Sequence, residues 1–254
     1  KLAMSLQEQS VEPMAKIAGI HLEACFLNPQ KKGIHDESQL LCPSIENYSK
    51  IEDDAIKIVT LAPELDKDFL LCKYLKEKGV RVSAGHCMGT DLSHVQQVTH
   101  LYNAMGEFSH RNPSTAVKAL SDDNIYVELI ADGVHVQQEV LKITFRTKPL
   151  NKIILISDAL PITHSDKEEM LFCGKSVFLK NGKAVDKNGT IAGSTNFVSD
   201  IIKNIVENGL LDLRTAVSMA SLNINHITKP NAQIYWDNSN NICAMNFENN
   251  LLTF

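Results

Sequence analysis

Short apolar runs recur along the chain, and stretches with helical spacing separate them. The runs are rich in Val and Ile and mostly apolar at successive positions, a pattern typical of parallel strands with two buried faces. They occupy residues 14–20, 56–61, 80–83, 95–101, 125–130 and 153–156. The pattern therefore predicts six parallel β-strands.

Helical spacing occurs between the predicted strands and again after the sixth. One helix is predicted from residues spaced three or four apart, Leu65, Phe69, Cys72 and Leu75. Gly79 is placed to end this helix, and a second helix is predicted over 136–146. After the sixth strand we predict a helix that Ser194 caps and Gly209 ends, and another over 212–222.

The pattern of strands changes after the sixth apolar run. The segment KNGK lies between apolar residues within 177–185, and an Asn-Gly turn of this kind predicts a β-hairpin. The tail over 231–254 contains two further strand patterns, IYW and ICAMNF, around an Asn-rich turn. We therefore expect strands of a different arrangement after the parallel ones.

Strands that alternate with helices predict an α/β fold, and two architectures are then open. A doubly wound nucleotide-binding sheet usually carries a glycine-rich phosphate loop, and neither GxGxxG nor GxxxxGK(S/T) occurs in this sequence. A (β/α)8 TIM-type barrel has eight strands, so two strands would be missing. The residues at the strand ends decide for the barrel.

Acidic residues and histidines stand at the ends of the predicted strands, where a barrel has its active site. They are Glu23, Glu64, His86, His100, His135 and Asp158. Glu23, His86 and His100 offer one carboxylate and two imidazoles, which leave an open position for water as in a catalytic zinc site. A divalent cation lowers the pKa of such a water, and Asp158 is placed to take its proton.

Each of these residues also has a structural interpretation. A lone histidine at a strand end is more often a hydrogen-bonded core or rim residue, and an Asp in that position is often a helix cap. The occurrence of several such residues at successive strand ends favours a metal-dependent hydrolase.

Composition and charge limit the classes of partner. The chain of 254 residues has a formal net charge of −5, which argues against nucleic acid or an anionic membrane surface. No apolar stretch approaches the roughly 18 residues that span a bilayer, and the start, KLAMSLQEQS, has no apolar signal-peptide core. None of the six cysteines lies in a CxxC pair, which fits reduced thiols. We therefore predict a cytoplasmic protein with no nucleic-acid or membrane partner.

Several motifs go beyond this general pattern. They are, in order, GIHLEACFLNPQKKGIH, VSAGH, VTHLYNAM, HRNP, ADGVH, ISDALP and TIAGST. The set resembles the N-acetylglucosamine-6-phosphate deacetylases of the amidohydrolase superfamily, over about residues 17–223. The resemblance implies a metal-dependent hydrolase that removes the acetyl group from N-acetylglucosamine 6-phosphate, giving glucosamine 6-phosphate and acetate.

The resemblance also implies a role for individual residues. Glu23, His86 and His100 match metal ligands. Asp158 matches the general acid/base, and His35 matches the residue that helps to polarise the substrate carbonyl. The residues that match substrate contacts are Asn103, Ala104, Arg111, His135, Ile191, Ala192 and Gly193.

The same resemblance implies the cofactor and the assembly. We predict one divalent cation, with Zn²⁺ as the first candidate. Fe²⁺, Mn²⁺ and Co²⁺ are alternatives, because all of them accept two His and a carboxylate as ligands. The ligand is a small amino-sugar phosphate. In this family Arg111 corresponds to a phosphate contact supplied by the neighbouring subunit, so a homodimer is expected.

The sequence also departs from the family pattern. Family members begin with part of a small β-sandwich and two barrel strands. We therefore predict over 1–228 a barrel that lacks its first two strands, and over 229–254 the C-terminal remnants of the β-sandwich. Ala24 and Cys25 replace a Gly-Pro pair, and the segment 91–97 has room for about two helical turns at most.

These departures leave two alternatives to the main interpretation. The first is an incomplete and catalytically silent homologue that acts as a binding or scaffold protein. The second is a deacetylase of a different N-acetylated amino-sugar phosphate, because the sequence does not separate the glucosamine from the galactosamine epimer.

Overall fold

The computed structural model describes residues 17–23 and 25–224, together with three strands at 232–236, 242–247 and 250–253. Six of its strands form a parallel sheet in the order β1-β2-β3-β4-β5-β6. These strands are β1 Ile20–Leu22, β2 Ile56–Leu61, β3 Arg81–Ala84, β4 Gln97–Val98, β5 Tyr126–Leu129 and β6 Ile153–Leu155. Their order follows the chain, as in a barrel, whereas a doubly wound sheet reverses its order at a switch point. The predicted α/β fold is confirmed, with the winding of a partial TIM-type barrel.

The strands correspond to the six apolar runs, with two differences in their bounds. The first run was predicted over 14–20; its first three residues lie outside the described part, and β1 begins only at Ile20. The fourth run is longer than β4, because the backbone turns into the left-handed region at His100, where φ is 34°. On either side of that turn, Thr99 N and Leu101 N donate to the backbone oxygens of Ala84 and Glu128 in the neighbouring strands.

Helices connect the strands and follow them. They are α1 Ile45–Ser49, α2 Leu70–Glu77, α3 Thr115–Ser121, α4 Gln138–Thr147, α5 Val198–Glu207 and α6 Leu213–Ser221. The helices predicted over 136–146 and 212–222 are confirmed by α4 and α6. Gly79 and Gly209 follow α2 and α5 with φ values of 74° and 63°, as the predicted helix ends require.

The predicted cap of α5 was wrong. Ser194 does not cap this helix, because its hydroxyl accepts a hydrogen bond from Asn196 N (2.9 Å) in a turn that precedes the helix. Asp200 in the first turn of α5 instead accepts from Phe197 N (2.7 Å). The segment 91–97, with room for about two helical turns at most, contains no helix, and the chain passes through turns into β4.

Residue alternation gives the parallel sheet one apolar and one polar face. Val59, Val82 and Val127 are fully buried and belong to the core shared with the helices. Thr60 and Ser83 lie on the other face. There Thr99 Oγ1 lies 2.7 Å from Thr60 Oγ1 and 2.6 Å from Ser83 Oγ. Barrel interiors are usually filled by branched aliphatic residues, so a polar layer beneath the strand ends is unusual.

A second, antiparallel sheet is inserted after β6. Its strands are β7 Glu169–Phe172, β8 Lys175–Lys180, β9 Lys183–Asp186 and β10 Ile191–Gly193, in the order β10-β9-β8-β7. The predicted hairpin is β8 and β9, with Asn181 and Gly182 at its turn. Their φ values of 50° and 72° match the type I′ turn that Asn-Gly favours. We refer to these four strands as the small sheet.

The tail forms a separate antiparallel sheet in the order β11-β12-β13. Its strands are β11 Ala232–Trp236, β12 Ile242–Phe247 and β13 Asn250–Thr253. The two strands predicted there are confirmed, and a third follows them. The predicted domain boundary near residue 228 falls between residues 225 and 231, which lie outside the described part.

Candidate active site

One cavity of about 560 Å³ opens at the carboxyl ends of the parallel strands. Its lining includes most of the predicted site residues: Glu23, His35, His86, His100, Asn103, Ala104, His135, Asp158, Ile191, Ala192 and Gly193. Arg111 is exposed on the loop between β4 and α3 and does not line this cavity. Strands distant in sequence therefore bring eleven of the twelve predicted residues together within a single chain.

The side chains of Glu23, His86 and His100 meet at one point in the cavity. Glu23 Oε1 lies 2.8 Å from His86 Nε2 and 2.9 Å from His100 Nε2. The two imidazole nitrogens are 3.1 Å apart. His35 Nε2 lies 4.0 Å from the same carboxylate oxygen, so a third imidazole stands close to this centre.

This donor set fits a divalent cation. Ligand atoms about 2.0–2.1 Å from a tetrahedral zinc ion lie roughly 3.3 Å from one another. The three separations of 2.8, 2.9 and 3.1 Å are slightly shorter, so a small outward movement of the side chains would accommodate an ion. Glu23, His35 and His86 form a looser group, whose ligand atoms all lie within 4.8 Å of one another. The residues present therefore fit the metal that the family resemblance implies.

The chain fixes the orientation of His86. Its Nδ1–H donates to the backbone oxygen of Lys31 (2.6 Å), which turns Nε2 towards Glu23. Gly33 lies against the same ring, where a Cβ would be 3.3 Å from His86 Cε1. The KKGIH segment thus supports a metal-ligand candidate in addition to carrying His35.

Glu64 also stands at a strand end, but it has a structural role. Its Oε1 accepts hydrogen bonds from Asn28 Nδ2 (2.8 Å) and Met88 N (2.7 Å). The carboxylate therefore joins the segment after β1 to the segment after β3, which carries His86. This connection fixes the positions of two cavity-lining loops relative to each other.

Several cavity residues adopt a backbone conformation that is rare for residues other than glycine. The φ values are 47° at His86, 34° at His100, 51° at Ala104 and 48° at Asp158. Left-handed conformations at such residues cost roughly 1–3 kcal/mol each and concentrate at functional sites. Because His86, His100 and Asp158 each follow a different parallel strand, the strain is repeated around the cavity.

Charge is concentrated at the same centre. Burial alone would raise the pKa of Glu23, but hydrogen bonds from His100 and His86 lower it well below its usual range. Burial alone would lower the pKa of His100, but the hydrogen bond with Glu23 and the nearby carboxylates together raise that pKa to about 9. A proton on His100 therefore offsets the buried carboxylate when no cation is bound.

Asp158 has the properties of a proton acceptor. Desolvation by the surrounding protein raises the pKa of this carboxyl to about 6, against the opposing effect of His100. The side chain is nevertheless open to the cavity. A carboxyl group that titrates near neutral pH can accept and return a proton during a reaction.

His35 lies in the loop that follows β1. Burial, followed by the charge of His86, lowers the pKa of His35, so its ring is neutral at pH 7. The preceding residue, Ile34, is buried in a small apolar cluster with Leu160 and Val177. The position of His35 therefore depends on contacts with the small sheet and the segment before it.

The segment after β9 reaches the cavity beside Asp158. Ser194 N donates to the backbone oxygen of Asp158 (2.8 Å), and the backbone at Gly193 lies close to that oxygen. A Cβ at Gly193 would be 2.9 Å from this oxygen and 2.9 Å from Leu160 Cγ. The contact requires glycine and places Ile191–Gly193 in the lining.

The cavity also includes residues that sequence reasoning missed. Leu160 and Phe172 line it, together with Thr190. Leu160 follows Asp158 in the ISDALP motif, and its apolar character two residues after a site residue was an available signal. Phe172 ends a strand of the small sheet, and nothing in its local sequence indicates that it faces the cavity.

Comparison with known proteins agrees with this geometry. No protein-family model matches the chain. The N-acetylglucosamine-6-phosphate deacetylase of Bacillus subtilis is 34% identical over 228 residues, which is 86% of this chain and 56% of that enzyme. The chain is a relative of the N-acetylglucosamine-6-phosphate deacetylases. The predicted family resemblance is confirmed.

Two further comparisons extend this relationship. The N-acetylgalactosamine-6-phosphate deacetylase of Escherichia coli O157:H7 is 29% identical over 221 residues, covering 83% of this chain and 58% of that enzyme. The crystal structure of a Pasteurella multocida N-acetylglucosamine-6-phosphate deacetylase superimposes with a TM-score of 0.87 at 25% identity. That alignment covers 99% of this chain and 70% of the other.

The chain thus spans little more than half the length of the curated deacetylases it matches. None of the helices in the described part of the chain combines the length and apolar content needed to cross a membrane.

Proposed function

We propose that this chain removes the acetyl group from an N-acetylated amino-sugar 6-phosphate, with N-acetylglucosamine 6-phosphate as the first candidate substrate. The products are glucosamine 6-phosphate and acetate. The convergence of Glu23, His86 and His100 within 3.1 Å, in a cavity that Asp158 also lines, carries this proposal. The names of the similar curated enzymes support the substrate class.

Glu23, His86 and His100 would hold one divalent cation, with Zn²⁺ as the first candidate. Fe²⁺, Mn²⁺ and Co²⁺ accept the same donors. When bound, the ion supplies Lewis-acid chemistry: it polarises a carbonyl and lowers the pKa of water. The contact of His86 Nδ1 with a backbone carbonyl supports this role, because metal-binding histidines usually donate their second ring N–H in this way.

Asp158 would act as the general base and then as the general acid. Its carboxylate accepts a proton from the attacking water and returns it to the nitrogen of the scissile amide, because an amine leaves poorly unless it is protonated. The raised pKa of about 6 supports this double use. His35 is neutral and lines the cavity, where its ring N–H would stabilise negative charge developing on the carbonyl oxygen.

The remaining cavity residues would bind the sugar. Asn103, Ala104 and His135 line one part of the cavity, and Ile191–Gly193 line the part beside Asp158. Arg111 is exposed in this chain, which supports the proposal that it reaches the phosphate of a neighbouring subunit in a homodimer. The planar guanidinium can bind two phosphate oxygens at once.

We extend the proposal to the architecture and the location of the protein. The six parallel strands would be strands three to eight of a (β/α)8 barrel that lacks its first two strands within 1–228. The three strands after residue 229 would be remnants of a small β-sandwich. The net charge of −5 and the five cysteines that are unpaired in the described part of the chain support a cytoplasmic protein without nucleic-acid or membrane partners.

The two alternatives differ in their support. An incomplete, silent homologue would have little reason to retain a cation-binding geometry beside a carboxyl group of raised pKa. A different amino sugar has direct support, because a similar curated enzyme acts on the galactosamine epimer. The galactosamine 6-phosphate derivative is therefore the second candidate substrate.

Acetate release from N-acetylglucosamine 6-phosphate, after loading with Zn²⁺, tests the proposed function. N-acetylgalactosamine 6-phosphate is measured in parallel. Asp158→Asn removes the proton acceptor with little change in volume, so we expect it to abolish turnover while the metal content stays unchanged.

The control is Asp66→Asn, a buried Asp that caps α2 through Leu71 N (3.0 Å) and Cys72 N (2.8 Å) and does not line the cavity. Turnover that this variant keeps and Asp158→Asn loses would support the proposal. No acetate from either sugar, with folded and metal-loaded protein, would contradict it and favour the silent homologue.

A further inference from the structure

We propose that Asp132 is a positioning residue that fixes the orientation and the tautomer of His135 in the cavity. The role of the pair in substrate binding rests on the proposed function. The arrangement of the two side chains does not, because it follows from contacts within the chain.

Both oxygens of the Asp132 carboxylate are used by the turn that follows β5. Oδ1 accepts hydrogen bonds from Val134 N (2.8 Å) and His135 N (2.8 Å). Oδ2 lies 2.8 Å from His135 Nδ1. The exposed fraction is 2% for the Asp132 side chain and 7% for the His135 side chain, so the contact between them is shielded from water.

The turn itself is fixed to the sheet and to a helix. Gly133 adopts a φ of 75°, which allows the chain to fold back so that both backbone N–H groups point at one oxygen. Asn204 on α5 donates from Nδ2 to the backbone oxygen of Ala131 (3.1 Å). The Asp132–His135 pair therefore has little freedom to rotate away from the cavity.

The charge of Asp132 determines which ring nitrogen carries the proton. Burial alone would raise the pKa of this carboxyl, but hydrogen bonds from His135 and from two backbone amides lower it. Asp132 is therefore ionised at neutral pH and can only accept hydrogen bonds. The Nδ1 atom of His135 must donate, and a neutral ring then keeps an unprotonated Nε2.

This tautomer limits what His135 can recognise. His135 lines the cavity, as do Asn103 and Ala104. An unprotonated Nε2 accepts a hydrogen bond, so it suits an O–H or N–H group of the sugar and not a phosphate oxygen. The geometry points to His135 as the acceptor of a hydrogen bond from the substrate. This contact is separate from the phosphate contact assigned to Arg111.

Asp132→Asn tests the role of the carboxylate without removing the turn. The amide keeps the side-chain volume, and its oxygen can still accept from the backbone N–H groups. Its NH₂ group would face His135 Nδ1 and donate to it, so the ring proton moves to Nε2. The nitrogen that carries the proton is read by ¹⁵N NMR of the histidine ring, in the full chain loaded with Zn²⁺ at pH 8.

We expect Nδ1–H in the unaltered chain and Nε2–H in Asp132→Asn. The kcat/KM for N-acetylglucosamine 6-phosphate should fall about 10- to 100-fold, mainly through KM, because an acceptor facing the substrate has become a donor. Asp66→Asn is the matched control, a buried Asp that also accepts two backbone N–H groups, and it should leave the His135 signal unchanged.

A double-mutant comparison separates positioning from a general structural effect. If Asp132 acts only through His135, Asp132→Asn should change kcat/KM by a factor near one in a His135→Ala background. An equal loss in both backgrounds would overturn the proposal, and so would an Nε2–H tautomer in the unaltered chain. The tautomer measurement needs no turnover, so it supports or overturns the positioning role even if the proposed deacetylation fails.

Discussion

The two sides of the cavity are built in different ways. On one side, Glu23, His86, His100 and Asp158 follow strands of the parallel sheet, which shares one large apolar core with the helices. On the other side, the loop that ends in His35 and the small sheet share a separate apolar cluster of five buried residues. We call these the strand-end side and the small-sheet side.

The difference separates two chemical tasks. The strand-end side places charged groups within 3.1 Å of one another and holds several of them in strained backbone conformations. Only a large and rigid core can maintain such an arrangement. The small-sheet side contributes mostly apolar and neutral groups, for which small movements are tolerated. We therefore expect damage to the metal-ligand candidates of the first side to lower metal affinity, and damage to the second side to leave the metal in place.

The largest expected effect comes from His86→Asn on the strand-end side. Loss of one imidazole from the cation-binding centre should lower metal affinity and reduce kcat/KM by roughly 10³-fold or more. His35→Asn on the small-sheet side should keep the metal and lower kcat by about 10²- to 10³-fold, as expected for loss of one oxyanion donor. Metal content by atomic absorption and steady-state kinetics measure both.

His110→Asn serves as the control for both histidine variants, because His110 is exposed and does not line the cavity. It should retain metal and activity. Loss of metal from His35→Asn to the same extent as from His86→Asn would contradict the division into two sides, and would make His35 a ligand.

The second prediction concerns Gly193, where the two sides touch. A Cβ there would lie 2.9 Å from the backbone oxygen of Asp158, so Gly193→Ala must displace one segment or the other. Because small displacements of a catalytic group cost up to about 10²-fold in rate, we expect kcat to fall by about 10- to 100-fold with the metal retained.

Gly174→Ala in the small sheet is the matched control. Gly174 has a φ of 73° and no neighbour within 4 Å of the added Cβ, so alanine should cost about 1–2 kcal/mol of stability with kcat unchanged. Equal kcat values for Gly193→Ala and the control would mean that the contact with Asp158 has no effect on its position.

The third prediction is the pH dependence of the strand-end side. A general base must be ionised, and burial raises the pKa of Asp158 to about 6. The kcat/KM value should therefore fall about tenfold per pH unit below that pKa and level off above it. A bound cation nearby favours the ionised form, so the midpoint should lie at or below pH 6. A rate independent of pH between 4.5 and 7 would argue against Asp158 as the base.

The sequence predicts the strand-end side of the cavity better than the small-sheet side. The strands β1 to β6 could be predicted because each lies in a short, mostly apolar run, and the strand-end rule then indicated Glu23, His86, His100 and Asp158. The left-handed backbone at His86, His100 and Asp158 gave no signal, because the sequence carries no glycine at those positions. The mutual distances depend on that strain and could not be predicted.

The small-sheet side was indicated only by resemblance to a family. His35 and Ile191–Gly193 lie in loops or short strands whose position depends on packing between segments more than 100 residues apart, which no local pattern encodes. The hairpin of β8 and β9 was predicted from its Asn-Gly turn, but its place beside the cavity was not. Arg111 remains a prediction, because it is exposed in this chain.

The smallest expected effect comes from Ile34→Ala, which loosens the small-sheet side without touching the strand ends. Ile34 is 5% exposed and packs with Leu160 and Val177. Truncation of a buried isoleucine costs about 2–5 kcal/mol, and the small cluster should open locally before the main core does. Hydrogen exchange should therefore increase over β7 to β10 only, and KM should rise a few-fold with metal affinity unchanged. Ile143→Ala, at a 51% exposed position on α4, should change neither quantity. A fall in metal affinity equal to the rise in KM would show that the two sides move together, and the division drawn between them would then be wrong.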